Sequence, residues 1–166
     1  VNMAVEPRQP GSSFKPYTYA AAFEQGYAPA TLVYDVRTSF AVEGAAPYVP
    51  ENFDGKYHGP LWLRKALACS YNIPAVSLLE KIGIDSAVEM AHRLGITTLR
   101  DRSRIGLSVT LGGGEVRLLE HTYAMGVFAN GGMMAGTPAP ASRREPGYRE
   151  LDPVGVLKVT DSRGNV

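Results

Sequence analysis

Cysteine is almost absent from this 166-residue chain, and the patterns of several specialised proteins are missing too. The single Cys69 excludes an internal disulfide and a cysteine-rich metal site. The three histidines show neither H-x-x-H nor H-E-x-x-H spacing, so we predict no metal site. Neither G-x-x-x-x-G-K-[ST] nor a strand-linked G-x-G-x-x-G pattern occurs, so we also predict no phosphate cradle and no cofactor.

Net charge and long apolar runs are also scarce. Lysine and arginine number 17 against 16 acidic residues, a net charge of +1 that gives no reason to expect a nucleic-acid partner. No apolar run approaches the roughly 18 residues of a membrane span, and no signal peptide is recognisable. Hydrophobic residues at 45% and charged residues at 20% indicate a soluble globular chain, one domain or part of one. Both ends of the sequence look as though they were cut from a longer protein.

One short stretch, residues 8–16 (RQPGSSFKP), carries the first chemical signal. If a helix starts at Ser12 or Ser13, the side chains of Ser12 and Lys15 lie on one face, a turn apart. A lysine whose pKa is lowered by burial can take the proton of a serine hydroxyl and so make it a nucleophile. With 10 Ser and 5 Lys, S-x-x-K is expected roughly 0.3 times by chance, so the pair alone also fits a capped helix with a solvated lysine.

A second polar pair, Ser70 and Asn72, interrupts an apolar region between two predicted helices. A second hydroxyl can relay a proton to a leaving amine, and a carboxamide can hold a peptide backbone by donor and acceptor together. The alternative is a polar connector after a helix C-terminus. S-x-N is also expected roughly 0.3 times by chance, so this pair too is weak by itself.

Apolar spacing and Gly or Pro punctuation predict the secondary structure. After the Ser12 stretch we predict a core helix, with 20–23 buried and Gly26 at its end. Residues 61–95 read as three short helices, the last over 86–94 with Asp85 as its N-cap. A longer helix is predicted over 115–130, with one stripe formed by Leu119, Tyr123, Gly126, Val127 and Asn130. Short strands are predicted within 30–35 and 154–160.

Together, these blocks resemble the transpeptidase domain of penicillin-binding proteins, of the class A, bifunctional type. Residues 8–16 resemble the active-serine motif of that family, and residues 57–60 with 63–76 are similar to its second-motif region. Residues 111–116 and 128–132 match the following helix and its end, and residues 156–161 with Gly164 resemble the next strand and turn. The resemblance covers nearly the whole chain, in the right order.

The resemblance implies an α+β, β-lactamase/transpeptidase-like fold, mainly its helical part, with most of the central antiparallel sheet missing. The family's third motif, K-T-G, is absent, and Lys158-Val159-Thr160 is a near miss that lacks the glycine. That motif normally supplies a cationic partner for the substrate carboxylate and the second oxyanion donor. We therefore expect residues 1–166 to be a partial transpeptidase domain, weak or inactive alone.

The same resemblance implies four site residues: the acylated nucleophile Ser12, its activating base Lys15, the proton relay Ser70 and the substrate-binding Asn72. The backbone N–H of Ser12 would form half of the oxyanion hole. The implied reaction is peptidoglycan D,D-transpeptidation. A stem peptide ending in D-Ala-D-Ala acylates the serine, and an amine of a second stem peptide takes the acyl group. β-Lactam antibiotics acylate the same serine, and no metal or cofactor takes part.

The parent protein is expected to be anchored at the extracytoplasmic face of a bacterial cell membrane, with a glycosyltransferase domain beside this one. Three other readings stay open. The first is a non-catalytic β-lactam-binding sensor or truncated pseudoenzyme. The second is a serine β-lactamase or D,D-carboxypeptidase, which the blocks at residues 57–76 and 111–132 disfavour. The third is a helical interaction fragment without chemistry.

Overall fold

The computed structural model describes residues 2–42, 44–156 and 158–165. Within these ranges the chain forms five α-helices and six short strands. In chain order they are β1 (Pro7–Arg8), α1 (Lys15–Glu24), β2 (Leu32–Asp35), β3 (Gly59–Trp62), α2 (Leu63–Ala68), α3 (Asn72–Ile82), α4 (Ile84–Leu94), β4 (Val116–Arg117), α5 (Leu118–Ala129), β5 (Thr137–Pro138) and β6 (Leu151–Asp152). Four 3₁₀ turns accompany them, at Gly11–Phe14, Arg102–Arg104, Leu107–Leu111 and Ala141–Arg143.

The strands pair as three separate antiparallel ribbons, β1 with β4, β2 with β3, and β5 with β6. In the longest ribbon the register runs from Leu32 opposite Trp62 to Asp35 opposite Gly59. The β1–β4 ribbon ties the segment before Ser12 to the start of α5.

Helix α1 lies at the centre of the core and packs against α3 and α4. Tyr17, Tyr19 and Ala22 on this helix are fully or almost fully buried. The alanines of α1 let neighbouring helices approach, and burial of a large apolar side chain stabilises the fold by about 1.5–3 kcal/mol each. The predicted core helix is therefore confirmed, although Phe23, expected to be buried, is 39% exposed.

The three helices predicted across 61–95 are present as α2, α3 and α4, with shifted ends. Residues 61 and 62 belong to β3 rather than to a helix, because their backbone pairs with β2. Helix α4 begins at Ile84, so Asp85 lies in its first turn and is not its N-cap. The predicted strand within 30–35 is confirmed as β2.

Of two predictions towards the end of the chain, the long helix is confirmed as α5 with shifted ends, and the strand is wrong. The helix predicted from 115 begins at Leu118, because residues 116–117 pair with β1. Its buried residues are Glu120, Ala124 and Val127, whereas Leu119 is half exposed. The strand predicted over 154–160 is absent from the described residues of that range, where the alternating apolar side chains are exposed and no partner strand pairs with them. Leu157 in that prediction lies outside the described residues.

Across the ranges that the structure describes, no helix combines the length and the apolar character that crossing a bilayer requires.

Candidate active site

Ser12 stands on a tight turn that leads directly into the central helix. Gly11, with φ +62°, starts the 3₁₀ turn Gly11–Phe14, and α1 follows at Lys15. Phe14 is completely buried and anchors the turn, while Ser12 is exposed. Pro16 fits the first turn of α1, where backbone N–H groups have no helical partner. The turn therefore presents the Ser12 hydroxyl to solvent just ahead of the helix.

Lys15 is a buried amine with three hydrogen-bond acceptors around it. Its side chain is 1% exposed. The Nζ atom donates to the carbonyl oxygen of Ser70 at 2.6 Å, to Ser70 Oγ at 3.1 Å and to Asn72 Oδ1 at 2.7 Å. Burial lowers the pKa of Lys15 from its ordinary 10.5 to about 8. The amine thus gives up a proton far more readily than a solvated lysine.

Ser70 and Asn72 come from the junction between α2 and α3. Ser70 has φ +54°, a left-handed conformation that costs a residue with a Cβ about 1–2 kcal/mol. In this conformation both the carbonyl and the hydroxyl of Ser70 accept hydrogen bonds from Lys15. Asn72 is the first residue of α3. The structure thus brings Lys15, Ser70 and Asn72 into direct contact. Their spacing in the sequence could not establish this contact by itself.

A loop between β2 and β3 holds Asn72 from the other side. The Asn72 amide nitrogen Nδ2 donates to the carbonyl oxygen of Glu51 at 2.7 Å, and its backbone N–H donates to Asn52 Oδ1 at 2.7 Å. Asn52 in turn donates through Nδ2 to the carboxylate of Asp35, which is fully buried. Sequence reasoning missed both residues, since isolated polar residues in a loop carry no periodic signal.

A second set of hydrogen bonds supports the turn beside Ser12. Ser13 Oγ donates to the carbonyl oxygen of Pro10 at 2.7 Å and accepts from His121 Nε2 at 2.9 Å. The other ring nitrogen, Nδ1, accepts from the buried Tyr17 hydroxyl at 2.8 Å. Burial lowers the pKa of His121 and raises that of Tyr17, which keeps both groups neutral near pH 7. Helix α5, which carries His121, therefore fixes the position of the turn.

The arrangement contains the groups that acyl transfer through a covalent intermediate needs. The amine of Lys15, the hydroxyl of Ser70 and the carboxamide of Asn72 meet where α1 and α3 begin. The exposed Ser12 hydroxyl stands on the turn three residues before Lys15, and among the described residues it makes no hydrogen bond to any of the three. No cluster of three or more His, Cys, Asp or Glu side chains that could hold a metal ion occurs within 2–42, 44–156 and 158–165.

Comparison with known proteins identifies relatives of the chain. The sequence model of the family described as "Penicillin binding protein transpeptidase domain" matches residues 2–135. Penicillin-binding protein 1A of Neisseria cinerea is 40% identical over 127 residues, which are 75% of this chain and 16% of that protein. The chain thus spans about one sixth of the length of the curated relatives it matches.

Solved structures of similar proteins have the same fold. Penicillin-binding protein 1A of Haemophilus influenzae superposes with a TM-score of 0.72 at 34% identity, over 80% of this chain and 20% of that one. PonA1 of Mycobacterium tuberculosis, solved in complex with penicillin V, gives a TM-score of 0.68 at 25% identity, over 78% of this chain and 36% of that one. The α+β architecture predicted from sequence, of the β-lactamase/transpeptidase type and mainly its helical part, is therefore confirmed.

Proposed function

Because the chain belongs to the penicillin-binding protein transpeptidase family, we propose that residues 1–166 form part of a class A peptidoglycan D,D-transpeptidase domain. In this proposal Ser12 is the residue that stem peptides and β-lactams acylate. The parent protein acts at the extracytoplasmic face of a bacterial membrane, where peptidoglycan lies, and carries a glycosyltransferase domain. Its partners are a donor peptide ending in D-Ala-D-Ala and an amine of a second stem peptide.

The observation that carries the proposal is the state of Lys15. A buried amine whose pKa is about 8 is neutral in about a tenth of the molecules at pH 7. An ordinary lysine is neutral in a far smaller fraction of the molecules at that pH. Neutral amine is the form that accepts a proton from Ser12. An ordinary solvated lysine on a helix would have no reason to be buried among Ser70 and Asn72. The burial of Lys15 and its hydrogen bonds therefore support a role for its amine as the base in acylation.

The proposed acylation assigns one role to each of these groups. Neutral Lys15 takes the proton of the Ser12 hydroxyl as Oγ forms a bond to the carbonyl carbon of the penultimate D-Ala. The backbone N–H of Ser12 stabilises the developing oxyanion. When the C–N bond breaks, Ser70 passes the proton from Lys15 to the leaving amine, and D-Ala departs. Asn72 holds the backbone amide of the donor peptide through this step.

Transfer to the acceptor reverses the proton movements. The acceptor amine attacks the ester carbonyl, its proton returns through Ser70 and Lys15 to Ser12, and a new peptide bond cross-links the two stems. A β-lactam opens its ring by the same attack, but its amine stays attached to the acyl group. K-T-G does not occur in the sequence, so we expect the chain alone to acylate about 10²–10³-fold more slowly than a site with a complete oxyanion hole.

Intact mass spectrometry after long incubation with penicillin V tests the proposal. We expect a mass increase equal to one whole penicillin molecule, because ring opening loses no atoms. Ser12→Ala should show no adduct. Ser142→Ala is the matched control, since it removes an exposed hydroxyl that takes part in none of the site's hydrogen bonds and should keep the adduct. An adduct that persists in Ser12→Ala, or no adduct on the folded wild-type chain, contradicts the proposal.

A second measurement separates transfer from hydrolysis. A peptide ending in D-Ala-D-Ala is offered with and without an acceptor amine, and the products are separated by chromatography. A transpeptidase forms the amide product when the amine is present. Release of free acid at an equal rate in both mixtures would favour a β-lactamase or carboxypeptidase, and β-lactam acylation without peptide turnover would favour a sensor.

A further inference from the structure

The side chain of Asn52 is hydrogen-bonded through both its amide nitrogen and its oxygen, and it links Asp35 to the backbone of Asn72. Asn52 is 6% exposed, in the loop between β2 and β3. Its Oδ1 accepts the backbone N–H of Asn72 at 2.7 Å. Its Nδ2 donates to Oδ1 and Oδ2 of Asp35, at 2.9 and 2.8 Å, and to the carbonyl oxygen of Lys56 at 2.8 Å. Both amide protons and the carbonyl oxygen are therefore engaged.

These partners allow only one orientation of the Asn52 amide. A flipped amide would turn its NH₂ group towards the N–H of Asn72 and its oxygen towards the carboxylate of Asp35. Both contacts would then join like groups, which is costly where water is excluded. The buried carboxylate therefore decides which atom of Asn52 faces Asn72.

Asp35 is itself held from the other side. Its side chain is fully buried at the end of β2. Oδ2 accepts the backbone N–H of His58 at 3.0 Å and the ring Nδ1 of His58 at 2.6 Å. His58 stacks on Tyr71, next to Asn72 in the chain, with ring centroids 4.0 Å apart. The carboxylate thus has donors on both oxygens and a fixed position in the loop.

Within the part of the chain that the structure describes, Asn52 is the hydrogen-bond partner of the Asn72 backbone N–H. This N–H is among the first in α3, where helices leave donors without a partner, and the N-cap residue Tyr71 makes no side-chain cap. Asn52 supplies this cap from a segment 20 residues earlier. Since the Asn72 side chain accepts the hydrogen bond of Lys15, movement of its backbone would move the lysine's partner as well.

We propose that Asn52 is a positioning residue for acylation. Buried Asp35 orients Asn52, and Asn52 holds the backbone of Asn72. This chain of hydrogen bonds, Asp35–Asn52–Asn72, is termed the relay, and it fixes the acceptor of Lys15. This inference rests on the proposed function for its kinetic consequence. Its structural part, the dependence of the Asn72 N–H on Asp35, can be measured without any reaction.

Four variants test the relay. Asn52→Ala removes the hydrogen bonds to Asp35, Lys56 and Asn72 and brings no like groups together. Asn52→Asp places a carboxylate against Asp35. Asp35→Asn places an NH₂ group either against Asn52 Nδ2 or against the His58 N–H, whichever way it turns. The double variant N52D/D35N restores one donor and one acceptor between the two positions, but it sets a carboxylate oxygen against the carbonyl oxygen of Lys56, so we expect only partial recovery.

The first readout is the rate at which labelled penicillin acylates Ser12, measured well below each variant's unfolding temperature. We expect each single variant to acylate about tenfold or more slowly, and N52D/D35N to recover at least about threefold over the slower single variant. Asn130→Ala is the matched control, because Asn130 is exposed and its side chain donates only to the carbonyl of Met133 among the described residues. It should acylate within about twofold of wild type.

The second readout is hydrogen exchange of the Asn72 backbone amide, followed by NMR. We expect exchange to speed up about tenfold or more in each single variant and to slow again in the double variant, relative to other amides of α3. If the wild-type chain is never acylated but the exchange pattern holds, the proposed function fails and the relay stands. If wild type is acylated but the folded single variants match its rate, or the double variant shows no recovery, the relay is overturned.

Discussion

Gly112 lies against Gly11 so closely that a methyl group on Gly112 would overlap the amide nitrogen and the Cα of Gly11. Both glycines have positive φ, +89° at Gly112 and +62° at Gly11. Gly11 directly precedes Ser12 in the turn that presents the hydroxyl. The backbone after the Leu107–Leu111 turn therefore sets the position of the backbone before the nucleophile, with no side chain between them.

Gly112→Ala should destabilise the fold by about 2–4 kcal/mol, because it adds a backbone clash to the strain of a positive φ. Thermal or urea unfolding measures the loss, and penicillin acylation of the folded variant should also slow. Gly26→Ala is the matched control, since Gly26 has φ +92° but open space around its Cα. That variant reports the strain alone, about 1 kcal/mol. Equal losses in the two variants would contradict the packing argument.

The rate of acylation should rise with pH through a midpoint near 8. Lys15 must be neutral to accept the Ser12 proton, and its lowered pKa is about 8. Below that pH the rate should fall about tenfold per pH unit. Stopped incubations with labelled penicillin between pH 6 and pH 9, at constant ionic strength, give the profile. A rate that is flat across this range would show that a group other than Lys15 is the base.

Ser70→Gly should be more stable than Ser70→Ala, and both variants should slow acylation. Glycine adopts the φ of +54° without the Cβ penalty, so the Ser70→Gly variant should exceed Ser70→Ala in unfolding free energy by about 1 kcal/mol. Both variants lose the hydroxyl next to Lys15 and should acylate slowly. Thermal unfolding and acylation rates of the two variants provide the comparison. Equal stabilities would mean that the left-handed backbone at this position carries no strain.

Mild acid should destabilise the fold through two buried histidines. Burial lowers the pKa of His92 and of His121 below the ordinary 6.5. As the pH falls below about 7, the histidines of the unfolded chain take up protons before those of the folded chain do. The free energy of unfolding is therefore highest above pH 6.5 and decreases as the pH falls towards the folded-state pKa values. Unfolding midpoints at pH 7.5 and pH 5.5 measure the effect. His121→Gln should shrink the difference between them, and an unchanged difference would contradict this assignment.

The sequence predicted what is local and missed what depends on distant partners. The core helix after the Ser12 stretch, the three helices across 61–95 and the strand β2 follow from apolar spacing and glycine or proline positions. The helix considered from Ser12 or Ser13 begins only at Lys15, because Gly11–Phe14 form a 3₁₀ turn. The contact of Lys15 with Ser70 and Asn72 came only from resemblance, because no local rule joins residues 55 and 57 positions apart. Their roles in acylation stay predictions.

The errors have the same cause. Residues 61–62 have a helical apolar pattern, yet pairing with β2 makes them strand. The apolar alternation after 153 fits a strand, but strand structure needs a neighbour, and none pairs with the described residues there. Asn52 and Asp35 escaped notice because burial of an isolated polar residue is decided by the partners that reach it, not by its own segment.

The long sequence separations in the site also bear on how the chain folds. Lys15 and Asn72 are 57 residues apart, and Tyr17 and His121 are 104 apart. Closing loops of such lengths costs entropy before any contact compensates, so such contacts form late compared with single helices. We expect a refolding intermediate that has helix α1 but lacks these contacts to be inert towards penicillin. Pulses of labelled penicillin during refolding would then time the last step of folding, which circular dichroism of the helices does not detect.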